Sequence, residues 1–199
     1  QSSAADEEMR DQDPENLWLA RGPRHRLNYE FIRDNALAAS GLLVREIGGP
    51  SVKPYQPAGI WEEITTEKSA NNFRGEYSYV PDTAAAKIYR RSLYTYNKRT
   101  IPPPTMLSFD IVPRDVCEVR RARTSTPLQA LAMLNDEQIL EAARVLAGQV
   151  LQDGRGKKIE EEIASAFHQI LTRKPGKAEI QKLVVLYRDE LMRYRQNPA

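Results

Sequence analysis

Residues 87–123 hold the side chains best suited to chemistry in this chain of 199 residues. Arg90, Arg91, Lys98 and Arg99 share a segment with Tyr89, Tyr94 and Tyr96, and Arg120, Arg121 and Arg123 follow just before a proline-led helix signal. Nine bases meet only Asp110, Asp115 and Glu118 there, a balance of +6, whereas residues 1–16 carry six acids against Arg10. A guanidinium can grip a carboxylate or sulfate through paired N–H bonds, and a tyrosine ring can stack on a sugar face or a guanidinium plane. Arg90, Arg91, Tyr94, Arg120, Arg121 and Arg123 are therefore the candidate ligand-binding set, for an anion or an acidic glycan. The competing and preferred reading is structural. Arginines beside proline-rich loops tie irregular backbone down by donating to its carbonyls, or bridge helices through Asp34, Glu62, Glu63 or Asp136.

Other chemistry is sparsely supplied. Cys117 is alone, so no disulfide, cysteine metal site or Cys-x-x-Cys-His haem attachment can be built within the chain. As a nucleophile it would need a base; a small buried residue is the expectation. His25 sits among arginines and His168 beside Phe167 on an amphipathic segment, with no carboxylate cluster at ligand spacing. Asp110 and Asp115 could pair as glycosidase acids, but a loop capped by its own carboxylates is the default. No cofactor and no metal are expected in this fragment. Net charge is only +2, and the basic stretch lacks a recognised nucleic-acid motif. No run of about 18 apolar residues occurs, so no membrane-spanning segment is expected. The start has neither the basic nor the apolar region of a signal peptide and reads as a cut inside a longer polypeptide.

These side chains must be positioned by helices. Residues 28–47 carry apolar side chains near a 3.6-residue period, with Asn28 as N-cap and Gly48-Gly49-Pro50 as the stop. Residues 49–59 are proline-rich and extended, with Tyr55 as anchor; 60–64 can add a helical turn, and 65–79 reads as a loop or weak hairpin. Residues 82–96 fit one helix face through Ala85, Ile88, Tyr89, Ser92, Leu93 and Tyr96, before three prolines at 102–104. Residues 106–110 read as a short extended piece. Thr126, Pro127 and Gln129 form a capping box opening a helix that carries Leu128, Leu131, Leu134, Ile139, Ala142, Val145, Leu146 and Val150, with a break at Asn135-Asp136 and a stop at Gly154. Two further helices, 158–171 and 177–194, are joined by a short linker and so run antiparallel.

Several motifs in order resemble a known family. Asp13-Pro-Glu-Asn16, Ala20-Arg-Gly-Pro23, Gly48-Gly-Pro-Ser-Val-Lys-Pro-Tyr-Gln-Pro57, Tyr89-Arg-Arg-Ser-Leu-Tyr-Thr-Tyr96, Pro102-Pro-Pro-Thr-Met106 and Arg120-Arg-Ala-Arg-Thr-Ser-Thr-Pro-Leu-Gln-Ala-Leu131 are similar to the planctomycete PSD family, a domain of unknown function. The resemblance runs from near residue 1 to about residue 147. It implies the C-terminal portion of a larger domain in an exported protein, periplasmic or extracellular, often linked to cytochrome-c-like or lectin-like domains. It supplies no catalytic residues, and the family usually has an aromatic where this sequence has Asn97.

The sequence thus predicts a mostly α fold of about five helices with a proline-rich extended segment packed across them. Residues 1–27 form an extended or loop segment and 28–199 the helical domain. The expected function is a non-catalytic structural or interaction module of a large bacterial envelope protein, docking upstream domains of the same polypeptide or another envelope protein. The alternative is an acidic-glycan or anion-binding domain. Nucleic acid is not an expected partner.

Overall fold

The computed structural model describes residues 7–22, 25–56, 80–97, 102–112 and 117–197. The turn expected at 60–64, the loop at 65–79, and Glu62, Glu63, Lys98, Arg99, Arg114 and Asp115 lie outside these. Among the described residues the chain is mostly helical and has no strand. The helices are α1 (Glu7–Gln12), α2 (Tyr29–Ala39), α3 (Ala85–Ile88), α4 (Pro104–Ser108), α5 (Pro127–Asn135), α6 (Glu137–Asp153), α7 (Ile159–Leu171) and α8 (Lys177–Gln196), with a 3₁₀ turn at Ser92–Tyr94. The five long ones, α2 and α5 to α8, match the expected count; α1 is a short helix inside a stretch expected to be extended.

Helix α2 buries Tyr29, Arg33 and Leu37, and Ser40 just beyond it, a stripe at steps of four and three. It packs against α6, whose Gln138, Ala142, Leu146 and Val150 are buried at steps of four. Asn28 is the N-cap as expected, yet its side chain makes no capping bond. The helix also stops earlier than periodicity suggested. The Ser40 hydroxyl turns back onto the carbonyls of Ala36 and Leu37, and Gly41 takes φ +73°, a left-handed conformation that glycine adopts freely. Leu43 and Val44 belong to a following non-helical segment, where the Val44 amide donates to the Tyr89 carbonyl at 3.0 Å.

The single helix expected over 82–96 is replaced by α3 and the 3₁₀ turn. Backbone groups that a helix would use internally are taken by distant partners. The Tyr94 carbonyl accepts from Val52 N at 2.8 Å, and Tyr96 N donates to the Val52 carbonyl at 2.7 Å. Two isolated parallel bridges, Val44 with Arg90 and Val52 with Thr95, record this crossing. The proline-rich segment is packed down as expected: Val52 and Pro54 are buried, and the Tyr55 carbonyl accepts from Gln138 Nε2 at 2.7 Å. Residues 104–108, expected within an extended piece from Met106 onward, are helix α4 instead, because Pro104 at its start needs no helical donor there. Met106 and Phe109 then join Tyr29 in an apolar core, with the Tyr29 and Phe109 ring centroids 5.3 Å apart.

The capping box forms as the sequence predicts: Thr126 accepts from Gln129 N, and the Gln129 side chain accepts from Thr126 N. The break at Asn135-Asp136 forms too, with Asp136 Oδ1 capping α6 through Gln138 N (3.0 Å) and Ile139 N (3.1 Å). What the pattern misplaced is the inward face of α5. Gln129 is buried and Ala132 and Met133 pack on the core, whereas Leu128, Leu131 and Leu134 are 61%, 57% and 72% exposed. Helices α7 and α8 are antiparallel: Arg173 holds Glu179 at one end, and Arg188 approaches Glu160 at the other.

Candidate functional site

A guanidinium that the sequence reading missed lies at the centre of the packing. Arg33, 1% exposed, donates from Nε to Gln138 Oε1 (2.5 Å), from Nη1 to the Arg90 carbonyl (2.9 Å) and Ser92 Oγ (3.1 Å), and from Nη2 to the Ile88 carbonyl (2.7 Å). Burial pulls its pKa down from the usual arginine value. One side chain thus joins α2, the end of α3, the 3₁₀ turn and α6. Its legible signal was a cation on the α2 stripe that also carries Tyr29 and Leu37.

Arg90, buried, performs the same task one layer out. Its Nη1 donates to the Pro50 carbonyl at 3.0 Å and its Nη2 to the carbonyls of Glu46 (3.4 Å) and Gly48. Its guanidinium lies 3.9 Å from the Tyr94 ring centroid, and the Tyr94 hydroxyl accepts from Gly48 N at 2.8 Å. Arg90 and Tyr94 together therefore hold the Gly48-Gly49 bend, where both glycines have left-handed φ.

Arg121 fastens a second loop. It donates to both oxygens of Glu30 (2.9 and 3.0 Å) and to the carbonyls of Asp110 (2.6 Å) and Phe109 (3.2 Å). Asp110, itself at φ +58°, accepts from Arg26 (2.5 Å) and from the amide and hydroxyl of Thr124. The Thr124 amide, with help from the Thr124 hydroxyl and Arg26, holds the Asp110 carboxyl below its ordinary range. Lys53 N does the same for Asp82, and Arg173 brings Glu179 down to about 2. Depressed folded values contribute stability above the unfolded carboxylate range, lost as pH falls through them. The melting temperature should hold from pH 7 to about 5, then fall steadily from about pH 4 towards 2. A melt followed by circular dichroism across that range checks this; a flat profile to pH 2 would count against it.

A carboxylate clamp joins α6 to the extended segment. Glu141 accepts from the hydroxyls of Tyr55 and, at 2.7 Å, Tyr89. Both phenols are pushed up, Tyr55 first by burial and Tyr89 first by that hydrogen bond, so they act as neutral donors.

The remaining candidates stand apart. Arg91 is exposed, meeting Asp34 Oδ2 through Nε at 3.4 Å, while Asp34 Oδ1 is taken by Ser92 N at 2.7 Å. Arg120 and Arg123 are exposed and have no partner among the described residues. The six candidates therefore do not converge: Arg90, Tyr94 and Arg121 grip the protein, and Arg91, Arg120 and Arg123 face outward. Cys117, expected to be buried, is exposed beside fully exposed Val119. Among the described residues no group of His, Cys, Asp and Glu could hold a metal, and no helix is long and apolar enough to cross a membrane.

Asn97 is half-buried, and its side-chain Oδ1 and Nδ2 are shielded from solvent with no hydrogen-bond partner among the described residues. Replacing it with leucine, which branches at the same carbon, should raise stability by about 1 kcal/mol. A denaturation midpoint that rises at unchanged slope supports this; a lower midpoint means the amide is serving the fold.

The family model described as PSD1, protein of unknown function (DUF1553), matches residues 1–187. No curated protein and no solved structure matches the chain.

Proposed function

The chain belongs to the PSD1 family of proteins of unknown function, and from that premise we propose that it is a non-catalytic structural and interaction module. Its partner is the rest of a larger exported polypeptide or another protein of the bacterial envelope, in the periplasm or outside the cell, and the module needs no cofactor of its own.

One observation carries this reading: α5 is apolar on two opposite faces. Ala132 and Met133 pack on the chain's own core, while Leu128, Leu131 and Leu134 line the other side uncovered. A helix apolar all round belongs in an interior, so a second layer should close over the leucines. The exposed trio Leu17, Trp18 and Leu19 adds to it, because that loop is held in shape. Asp13 accepts from the amides of Leu17 (2.7 Å) and Trp18 (2.9 Å), and Arg21 donates to the Asp13 carbonyl at 2.5 Å.

Amide hydrogen exchange on this chain, compared with the complete natural gene product, tests the reading. The leucine face of α5 and the 17–19 loop should exchange at least about tenfold more slowly in the complete product. Equal rates in both would refute docking.

A second reading, an acidic-glycan site, is favoured by the outward cations Arg91, Arg120 and Arg123. Calorimetry with sulfated and uronic-acid glycans against a neutral control tests it, and no excess heat counts against it.

A further inference from the structure

Beside the network lies an open groove of about 570 Å³, within the size range of ligand sites. Its wall on one side is an α2 face carrying Phe31, Asp34 and Ala38 at helical steps. On the other it is the segment after Gly41, which contributes Leu43, Arg45 and Ile47, alternate residues. Arg91 closes one part of the rim. Apolar surface is left uncovered there, with Phe31 55% and Ile47 86% exposed. Two cations flank it: Arg45, exposed and without a partner among the described residues, and Arg91, which has given Asp34 only a long contact through Nε. Asp34 brings a single negative charge to the groove against these two cations, and its Oδ1 also accepts from Ser92 N.

We propose that this groove docks an extended, acidic segment of a protein partner, seating an apolar side chain against Phe31, Leu43 and Ile47 between carboxylates on Arg45 and Arg91. Charge complementarity selects acids over bases, and alternation selects an extended strand, whose successive side chains point to opposite sides. A small amphiphile fits less well, because ligand sites cover most of a small molecule and this groove leaves its apolar lining open. The inference rests on the interaction-module reading and names one of its contact sites.

The test uses the full chain with a fluorescein-labelled nonapeptide alternating leucine and glutamate, against a twin alternating leucine and lysine, read by fluorescence anisotropy. The glutamate peptide should bind saturably and about tenfold or more tighter than its twin. Arg45→Glu with Arg91→Glu should reverse that order, and Ile47→Asp should weaken both peptides. Those side chains are exposed, so an unchanged melt confirms that the variants fold. Equal binding of the two peptides, absence of binding, or saturation by decanoate with the peptides silent would each overturn the proposal. Slowed exchange on the α5 leucines together with silent peptides would leave the module reading standing and remove only this site.

Discussion

Replacing Arg33 with methionine should destabilise the fold by about 3–5 kcal/mol, the largest effect expected of any single substitution here. The guanidinium supplies donors to four acceptors on three segments, and methionine supplies none. The Ile88 and Arg90 carbonyls, Ser92 Oγ and Gln138 Oε1 would stay packed without their donor, each at a desolvation cost of about 1–3 kcal/mol before relaxation. In melting temperature that corresponds to a fall of roughly 10–15 °C for a chain of this size. Arg33→Lys separates charge from shape. It keeps the cation but cannot span acceptors so far apart around one planar fork, so it should recover less than half of the loss. A lysine variant as stable as the natural protein would mean that charge alone matters.

Arg90→Ala should cost about 2–4 kcal/mol through a different route. It removes the donors to Glu46, Gly48 and Pro50 and the stacking on Tyr94. The loss should be local before it is global. Amides of Val44, Gly48 and Val52 should exchange faster, while those of α7 and α8, which Arg90 does not touch, keep their rates. Uniform acceleration along the chain would show that the bend is not held separately.

The long helices were legible in the sequence, and the reason is that their information is local. Thr126, Pro127 and Gln129 lie within four residues and close their own capping box, and Asp136 caps α6 from the adjacent position. The segment 82–96 departs from the helix its period predicts because its rivals are remote. Its helical period is real, but the Tyr89 carbonyl goes to Val44 and that of Ile88 to Arg33. No window over 82–96 contains those residues. An apolar stripe ordinarily faces the chain's own core, and Leu128, Leu131 and Leu134 do not. Gln129 took that place because its side chain bonds the Ser108 carbonyl and the Thr124 hydroxyl, both at 2.9 Å. Arg90 and Arg121 are legible from their place beside the proline-rich segments, whereas the buried Arg33, and the Arg45 proposed to act with Arg91, carry no cluster of charge to mark them. Their mark in the sequence is a lone cation within an apolar stripe.

The prominent cations Arg33, Arg90 and Arg121 act as internal fasteners. Nuclear magnetic resonance of the arginine Nε–H groups measures this directly, through solvent exchange and through shifts on adding a sulfated glycan. Slow exchange at Arg33 and Arg121, with neither of them nor Arg90 shifted by the glycan while Arg91, Arg120 and Arg123 exchange fast, is the predicted result. Fast exchange at Arg33, or glycan-induced shifts at Arg90 and Arg121, would contradict it.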